Sequence, residues 1–273
     1  AGVLDSVPEL FSALHLVERD GRVFSQFPPG GPLVLAVGVL LGAVWIAVPL
    51  CGALAVWCFS AFVRAVEADR PGVSLLASLL FAFAPYMVFM SGSQMNHVPT
   101  LLGVCAALLA LERATSSGIA ARRRSLWAFA CGLALGFAAT VRPVDAVAFA
   151  VPIALLLVWR AWRARRELSP LIASGFGVAI PVACMLWFNA RTTGAPLLFG
   201  YEALWGKGHE LGFHAAPWGV AHTPARGLEL VSLYFLRMQT YLFETPVPSL
   251  VAAIGALLLV PALRRIDGVL LAS

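Results

Sequence analysis

The chain has 273 residues, 60% of them hydrophobic and only 12% charged, with a mean hydropathy of +0.86. A soluble domain carries about 25% charge, so that class is excluded. The net charge of +5 does not indicate nucleic acid, because the basic residues sit in short loops between apolar runs. The five cysteines (Cys51, Cys58, Cys105, Cys131 and Cys184) all fall inside apolar runs. They read as small packing residues and not as a disulfide framework or a metal set.

These features predict an all-α polytopic membrane protein with about seven transmembrane helices and interfacial helices in its outer loops. In chain order, residues 1–43 form an acidic segment with Asp5, Glu9, Glu18 and Asp20, followed by "FPPGGPL" (27–33), a rigid entry into an apolar run. The apolar stretch 33–43 is too short to span alone and reads either as an interfacial helix or as an extension of the first span. A spanning helix needs about 20 apolar residues. On that measure seven spans are expected, at about 44–63, 72–91, 96–112, 126–141, 144–160, 170–188 and 247–263. Pro49, Pro85, Pro152 and Pro181 fall within them and are expected to interrupt them.

Basic residues set the expected orientation. Of 19 Lys and Arg, 12 lie in one set of short loops: Arg64, Arg70, Arg113, Arg122 to Arg124, Arg160, Arg163, Arg165, Arg166, Arg264 and Arg265. That side is read as cytoplasmic, with Trp127, Trp159 and Trp162 as its aromatic belt. The outside then receives residues 1–43, "SGSQMNH" (91–97), "TVRPVDA" (140–146) and the segment 189–246, together with all five histidines. An outside start with an odd number of spans implies a further helix upstream of Ala1. The apolar run opening in "RRIDGVLLAS" implies a continuation, so on this reading the chain is a fragment of one transmembrane domain covering 1–273. Residues 189–246 are too long and too aromatic for a plain connector or a disordered tract. Within them, "LELVSLYFLRMQTYLFE" (228–244) reads as an interfacial helix.

Chemistry is expected at the outer face. Arg142 and Asp145 flank Pro143 and form either a capped turn with a local ion pair or, through the Arg142 fork, a phosphate ligand. Asn96 and His97 either begin a helix with snorkelling polar groups or face an outer cavity. In "GHELGFH" (208–214), His209 and His214 are five apart. That places them roughly 140° apart on a helix, so they cannot share a metal as a protease-type pair does. Lys207, His209, Glu210 and His214 are either solvated or part of a lid over a polar substrate, hinged at glycine.

The acidic outer segment, "GRVFSQFPPGGPLVLAVGVLLG", the helix pair with a short outer hairpin, "RPVDA" and "NARTTGAPLLFGY" together resemble the membrane glycosyltransferases of the GT-C superfamily. The similarity is to the protein mannosyltransferase and aminoarabinose transferase branch (glycosyltransferase family 39-like). The resemblance implies an inverting transfer of a sugar from a polyprenyl-phosphate donor to an acceptor hydroxyl, outside a bacterial inner membrane. It places the catalytic base at Asp5 in "DSVPELFSA", with Glu9 as fallback. This sequence has Ser6 where a second acid is common and no acid in "SGSQMNH". Substrate-binding candidates are Asn96, His97, Arg142, Asp145, Arg191, Tyr201, Lys207, His209 and His214. The leaving phosphate calls for positive charge or a divalent cation, and "GHELGFH" requires no metal. Membrane lipids are the other expected partner. The rival readings are a multi-pass transporter, whose usual mid-span ionisable residues are missing here, and a non-catalytic membrane partner.

Overall fold

The structure, a computed structural model, describes residues 15–19, 21–209, 212–215, 219–241 and 251. A two-stranded antiparallel hairpin comes first, β1 (Leu16–Arg19) and β2 (Arg22–Ser25), with Val17 opposite Phe24 and both buried. Ten α-helices follow among the described residues: α1 (Gly30–Leu40), α2 (Val44–Val66), α3 (Pro71–Phe83), α4 (Pro85–Ser91), α5 (His97–Thr115), α6 (Ala121–Val141), α7 (Pro143–Arg163), α8 (Leu168–Thr192), α9 (Gly200–Trp205) and α10 (Pro224–Tyr241). Five of these, α2 and α5 to α8, are long and apolar enough to cross a membrane. The pair α3–α4, bent by 50°, brings the number to six if it is counted as one broken span. The protein is an all-α polytopic membrane protein, and the expected seventh span, 247–263, lies outside the described residues except for Val251.

Helix limits follow local chemistry. Pro71, Pro85 and Pro143 each stand at the first helical position, where a missing N–H costs nothing. Gly42 (φ 69°) ends α1, and Gly118 (φ 79°) turns the chain between α5 and α6. The apolar stretch around 33–43 is therefore a separate helix of 11 residues and not an extension of the first span. At about 1.5 Å per residue it is too short to cross the bilayer core.

The prolines correct one expectation. Pro85 breaks the second span at Ala84, but Pro49, Pro152 and Pro181 lie inside the continuous helices α2, α7 and α8. Packed neighbours in a bundle can accommodate the freed carbonyl. Pro181 sits where α6 offers Gly136, whose missing side chain makes room for the ring.

The α5 helix is the most enclosed span and α8 the most peripheral. Leu111, Ile153, Cys131 and Ala107 are essentially inaccessible at the centre. Cys51, Cys58, Cys105 and Cys131 are free thiols packed as small apolar residues, and Cys184 is exposed. The longest helix interface, between α6 and α8, is built on small residues. A Cβ on Gly132 would overlap the Ser174 backbone, and one on Gly177 would stand 2.8 Å from the Leu133 nitrogen. Small residues four apart, such as Gly132 and Gly136, let membrane helices approach backbone to backbone.

The two ends of the bundle differ sharply. Arg64, Arg113, Arg122 to Arg124, Arg160 and Arg163 gather at one end, at the termini of α2, α5, α6 and α7. There Glu167, buried in a 3₁₀ turn, accepts from Arg124 at 2.6 Å and from Arg160 at 3.2 Å, tying α6 and α7 to the start of α8. Arg163 also lies over the Trp159 ring at 5.4 Å.

Candidate active site

The opposite end carries the polar residues singled out in the sequence. It is organised by the segment that enters α1. Gly30 and Gly31 leave no room for a Cβ, because Gly30 packs against Thr140 and Val141 of α6 while Gly31 packs against the Asn96 side chain. "FPPGGPL" thus wedges the N-terminus of α1 between the start of α5 and the end of α6. This contact sets Asn96 beside the main polar cluster.

That cluster comprises Tyr86, His97, Arg142 and Asp145. Arg142 Nε meets Asp145 Oδ2 at 2.7 Å, one turn apart around Pro143, with both side chains a little over a third exposed. The Tyr86 ring stands edge-on to His97 at 6.1 Å between centroids. Arg142 and Asp145 are close enough to act electrostatically on both rings. His97 Nδ1 is buried and has no hydrogen-bond partner among the described residues. A buried, unpaired ring nitrogen is unusual enough to call for an explanation. Two helices, α5 and α7, also begin here, and their first N–H groups favour an anion. Tyr86 was not foreseen from the sequence. The available signal was Pro85, which opens a new helix and turns the following residue away from the line of the span.

A second cluster joins the N-terminal hairpin to the chain after α8. The Arg22 guanidinium donates to the Arg191 carbonyl. The Trp205 indole N–H donates to Gln26 Oε1 at 2.7 Å, while the Gln26 amide group contacts the His15 ring. Gly200 packs directly on the Ser25 and Gln26 carbonyls. The sequence reading also missed why "NARTTGAP" turns. Asn189, almost wholly buried, donates to the Pro196 carbonyl at 3.0 Å, and Thr193 N–H donates to the Asn189 carbonyl at 2.7 Å. Gly194 (φ 87°) completes the turn. The turn delivers Phe199 and Tyr201, whose rings stack at 5.4 Å. Burial, reinforced by the neighbouring Glu202 carboxylate, pushes the Tyr201 hydroxyl above its ordinary pKa and keeps it protonated. The Arg191 side chain is exposed and makes no ion pair among the described residues.

The "GHELGFH" loop follows closely on Trp205 of the second cluster. Gly206–His209 is a 3₁₀ turn, Gly212 has φ 120°, and His214 Nε2–H donates to the Gly208 carbonyl at 3.1 Å. Phe213 stacks on His222 at 5.5 Å. The side chains of Lys207 and His209, and Asp5, Glu9 and Glu210 entirely, lie outside the described residues. Among the described residues no group of three His, Cys, Asp or Glu comes together around a metal-sized site.

A helical membrane bundle with a cation, a carboxylate, a histidine and a tyrosine grouped at one end of its spans presents a polar site on an apolar scaffold. Comparison with known families is more specific. The model of the dolichyl-phosphate-mannose-protein mannosyltransferase family matches residues 33–195, more than half of the chain, and the chain belongs to that family. It is thereby placed among glycosyltransferases of the GT-C type that use a polyprenyl-phosphate sugar donor. No individual curated protein and no solved structure matches it. The matched region includes Asn96, His97, Arg142, Asp145 and Arg191, and it excludes Asp5, Glu9 and the loop that follows Tyr201.

Proposed function

We propose that this chain moves a sugar, with inversion, from a polyprenyl phosphate to an acceptor hydroxyl at the membrane face opposite its arginine-rich end. By the excess of arginine in short loops, that face is the exterior of a cytoplasmic membrane. The observation that carries the reading is Arg142, within electrostatic reach of His97, whose Nδ1 has no hydrogen-bond partner among the described residues, where two helices begin. The donor phosphate, arriving at membrane-surface depth, exchanges part of the Arg142–Asp145 pairing for the Arg142 fork. His97 supplies a further polar contact and Tyr86 a wall. As the anomeric bond breaks, charge accumulates on the leaving phosphate, and fixed cations and helix N-termini stabilise it. Asn96, Arg191 and Tyr201 lie along the same end and suit the sugar or the acceptor, with Lys207, His209 and His214 on the loop beyond.

The acceptor hydroxyl must lose its proton as it attacks. Asp5 is proposed as the base and Glu9 as its alternative, on the strength of the family resemblance. Family membership favours this reading over a transporter. Incubating the full-length protein in proteoliposomes with radiolabelled polyprenyl-phosphate sugars and candidate acceptors tests it. Label is expected to move from lipid to acceptor. Transport of the intact lipid-linked sugar without bond cleavage would establish the rival.

A further inference from the structure

A separate feature lies at the arginine-rich end, far along the bundle from His97 and Arg142. Between the first turns of α6 and α8 is an open groove of about 460 Å³, within the range of ligand sites. Its floor is apolar, formed by Leu126, Phe129 and Ala173. Its mouth is polar, formed by Arg122, Ser125 and Ser169, and the two serine hydroxyls are hydrogen-bonded to each other at 2.8 Å. The floor residues lie within two helices long and apolar enough to cross a membrane, and the mouth residues lie in the first two turns of those helices.

Charge decides what fits. Glu167, the carboxylate nearest in sequence to Ser169, is already held by Arg124 and Arg160. Arg122 and Arg123 are exposed and make no ion pair among the described residues. Both flanking helices begin here, so their positive dipole ends add to that field. A groove with a cationic, hydroxylated mouth and a greasy floor complements a phosphodiester carrying an acyl chain. Basic pockets between membrane helices bind anionic lipid headgroups in this way. A free phosphate would leave the apolar floor uncovered.

We infer that the α6–α8 groove is a binding site for one anionic glycerophospholipid. The Arg122 fork engages its phosphate, the Ser125 and Ser169 hydroxyls engage phosphate or glycerol oxygens, and an acyl chain lies along Leu126, Phe129 and Ala173. The site holds the α6–α8 interface from the lipid side and is independent of the sugar-transfer reading.

The test uses the full chain in mild detergent, with native mass spectrometry after addition of phosphatidylglycerol or phosphatidylcholine of matched acyl length. Wild type is expected to retain one phosphatidylglycerol in preference to phosphatidylcholine. Arg122→Ala is expected to weaken that retention about five-fold, the worth of one arginine at an anionic surface, and Arg122→Lys to restore part of it. Ala173→Phe fills the groove while leaving the charge, and is expected to lose the lipid as well. Arg113→Ala, at the same end but on α5, is expected to have no effect. Equal retention of phosphatidylcholine, an unchanged Arg122→Ala, or an equal loss in Arg113→Ala would each overturn the site. So would displacement of phosphatidylglycerol by polyprenyl phosphate at matched concentration, which would assign the groove to a different lipid. Should Ala173→Phe fail to melt cooperatively, the Arg122 pair of variants decides alone.

Discussion

Replacing Arg142 separates a structural role from a ligand role, because the two carry different magnitudes. Its contact with Asp145 is short, at 2.7 Å, but the side chains are 37% and 39% exposed. Solvent screening limits such a pair to about 0–1 kcal/mol. Arg142→Ala is therefore expected to lower the melting temperature by no more than a few degrees. A charged hydrogen bond to a phosphate is worth about 1.5–3 kcal/mol, or roughly 10–150-fold in affinity. If Arg142 holds the donor phosphate, Arg142→Ala raises the apparent KM for the polyprenyl-phosphate sugar by that factor while the protein still inserts and melts normally. Arg142→Lys keeps the charge and loses the planar fork, so its defect is smaller but present. Asp145→Asn releases Arg142 from its partner and is not expected to weaken donor use. The assay is the initial rate against donor concentration in proteoliposomes, paired with thermal unfolding of the same preparations. An unchanged apparent donor affinity in Arg142→Ala would refute the reasoning and leave Arg142 as a turn residue.

Asp5→Asn keeps the size of the side chain but removes its basicity, and is expected to cut turnover by about 10²-fold or more with donor binding nearly intact. Glu9→Gln should do much less, and the reverse order of severity would move the base by four residues. Glu167→Gln strips the carboxylate from between two arginines whose side chains are 14% and 15% exposed. Leaving them uncompensated is expected to cost about 3–5 kcal/mol, a drop in melting temperature of roughly 10 °C; an unchanged melting curve would show that the clamp contributes nothing. Gly177→Ala pushes a methyl into the α6 backbone and is expected to destabilise by about 1–3 kcal/mol. Gly175→Ala, two residues away with open space around it, is expected to be neutral or slightly stabilising; equal effects at the two positions would contradict the close α6–α8 approach.

What could be read without a structure was what depends on neighbours in the chain. Runs of about 20 apolar residues must become helices in a bilayer, since no water satisfies their backbone groups. The spans at 44–63, 96–112, 126–141, 144–160 and 170–188 were legible for that reason. The sorting of arginines to one end is likewise carried by short loops. The Arg142–Asp145 pair was legible because three residues around a helix-opening proline place the two side chains on one turn. Tertiary structure alone decided the rest. Whether a proline breaks a span depends on what packs beside it: Pro181 lies against Gly136 and α8 runs on, whereas Pro85 starts a bent second segment. Arg22 reaches the Arg191 carbonyl and Gln26 reaches Trp205 across separations of 169 and 179 residues. No local pattern marks Glu167, which two helices bring between Arg124 and Arg160. His97 read either as part of a helix start or as facing an outer cavity, and only packing shows its Nδ1 buried with no hydrogen-bond partner among the described residues. These features depend on how close distant backbones come. Gly31 against Asn96 and Gly177 against Phe129 set that distance, and in a chain this rich in glycine no local pattern marks which glycines face a neighbour.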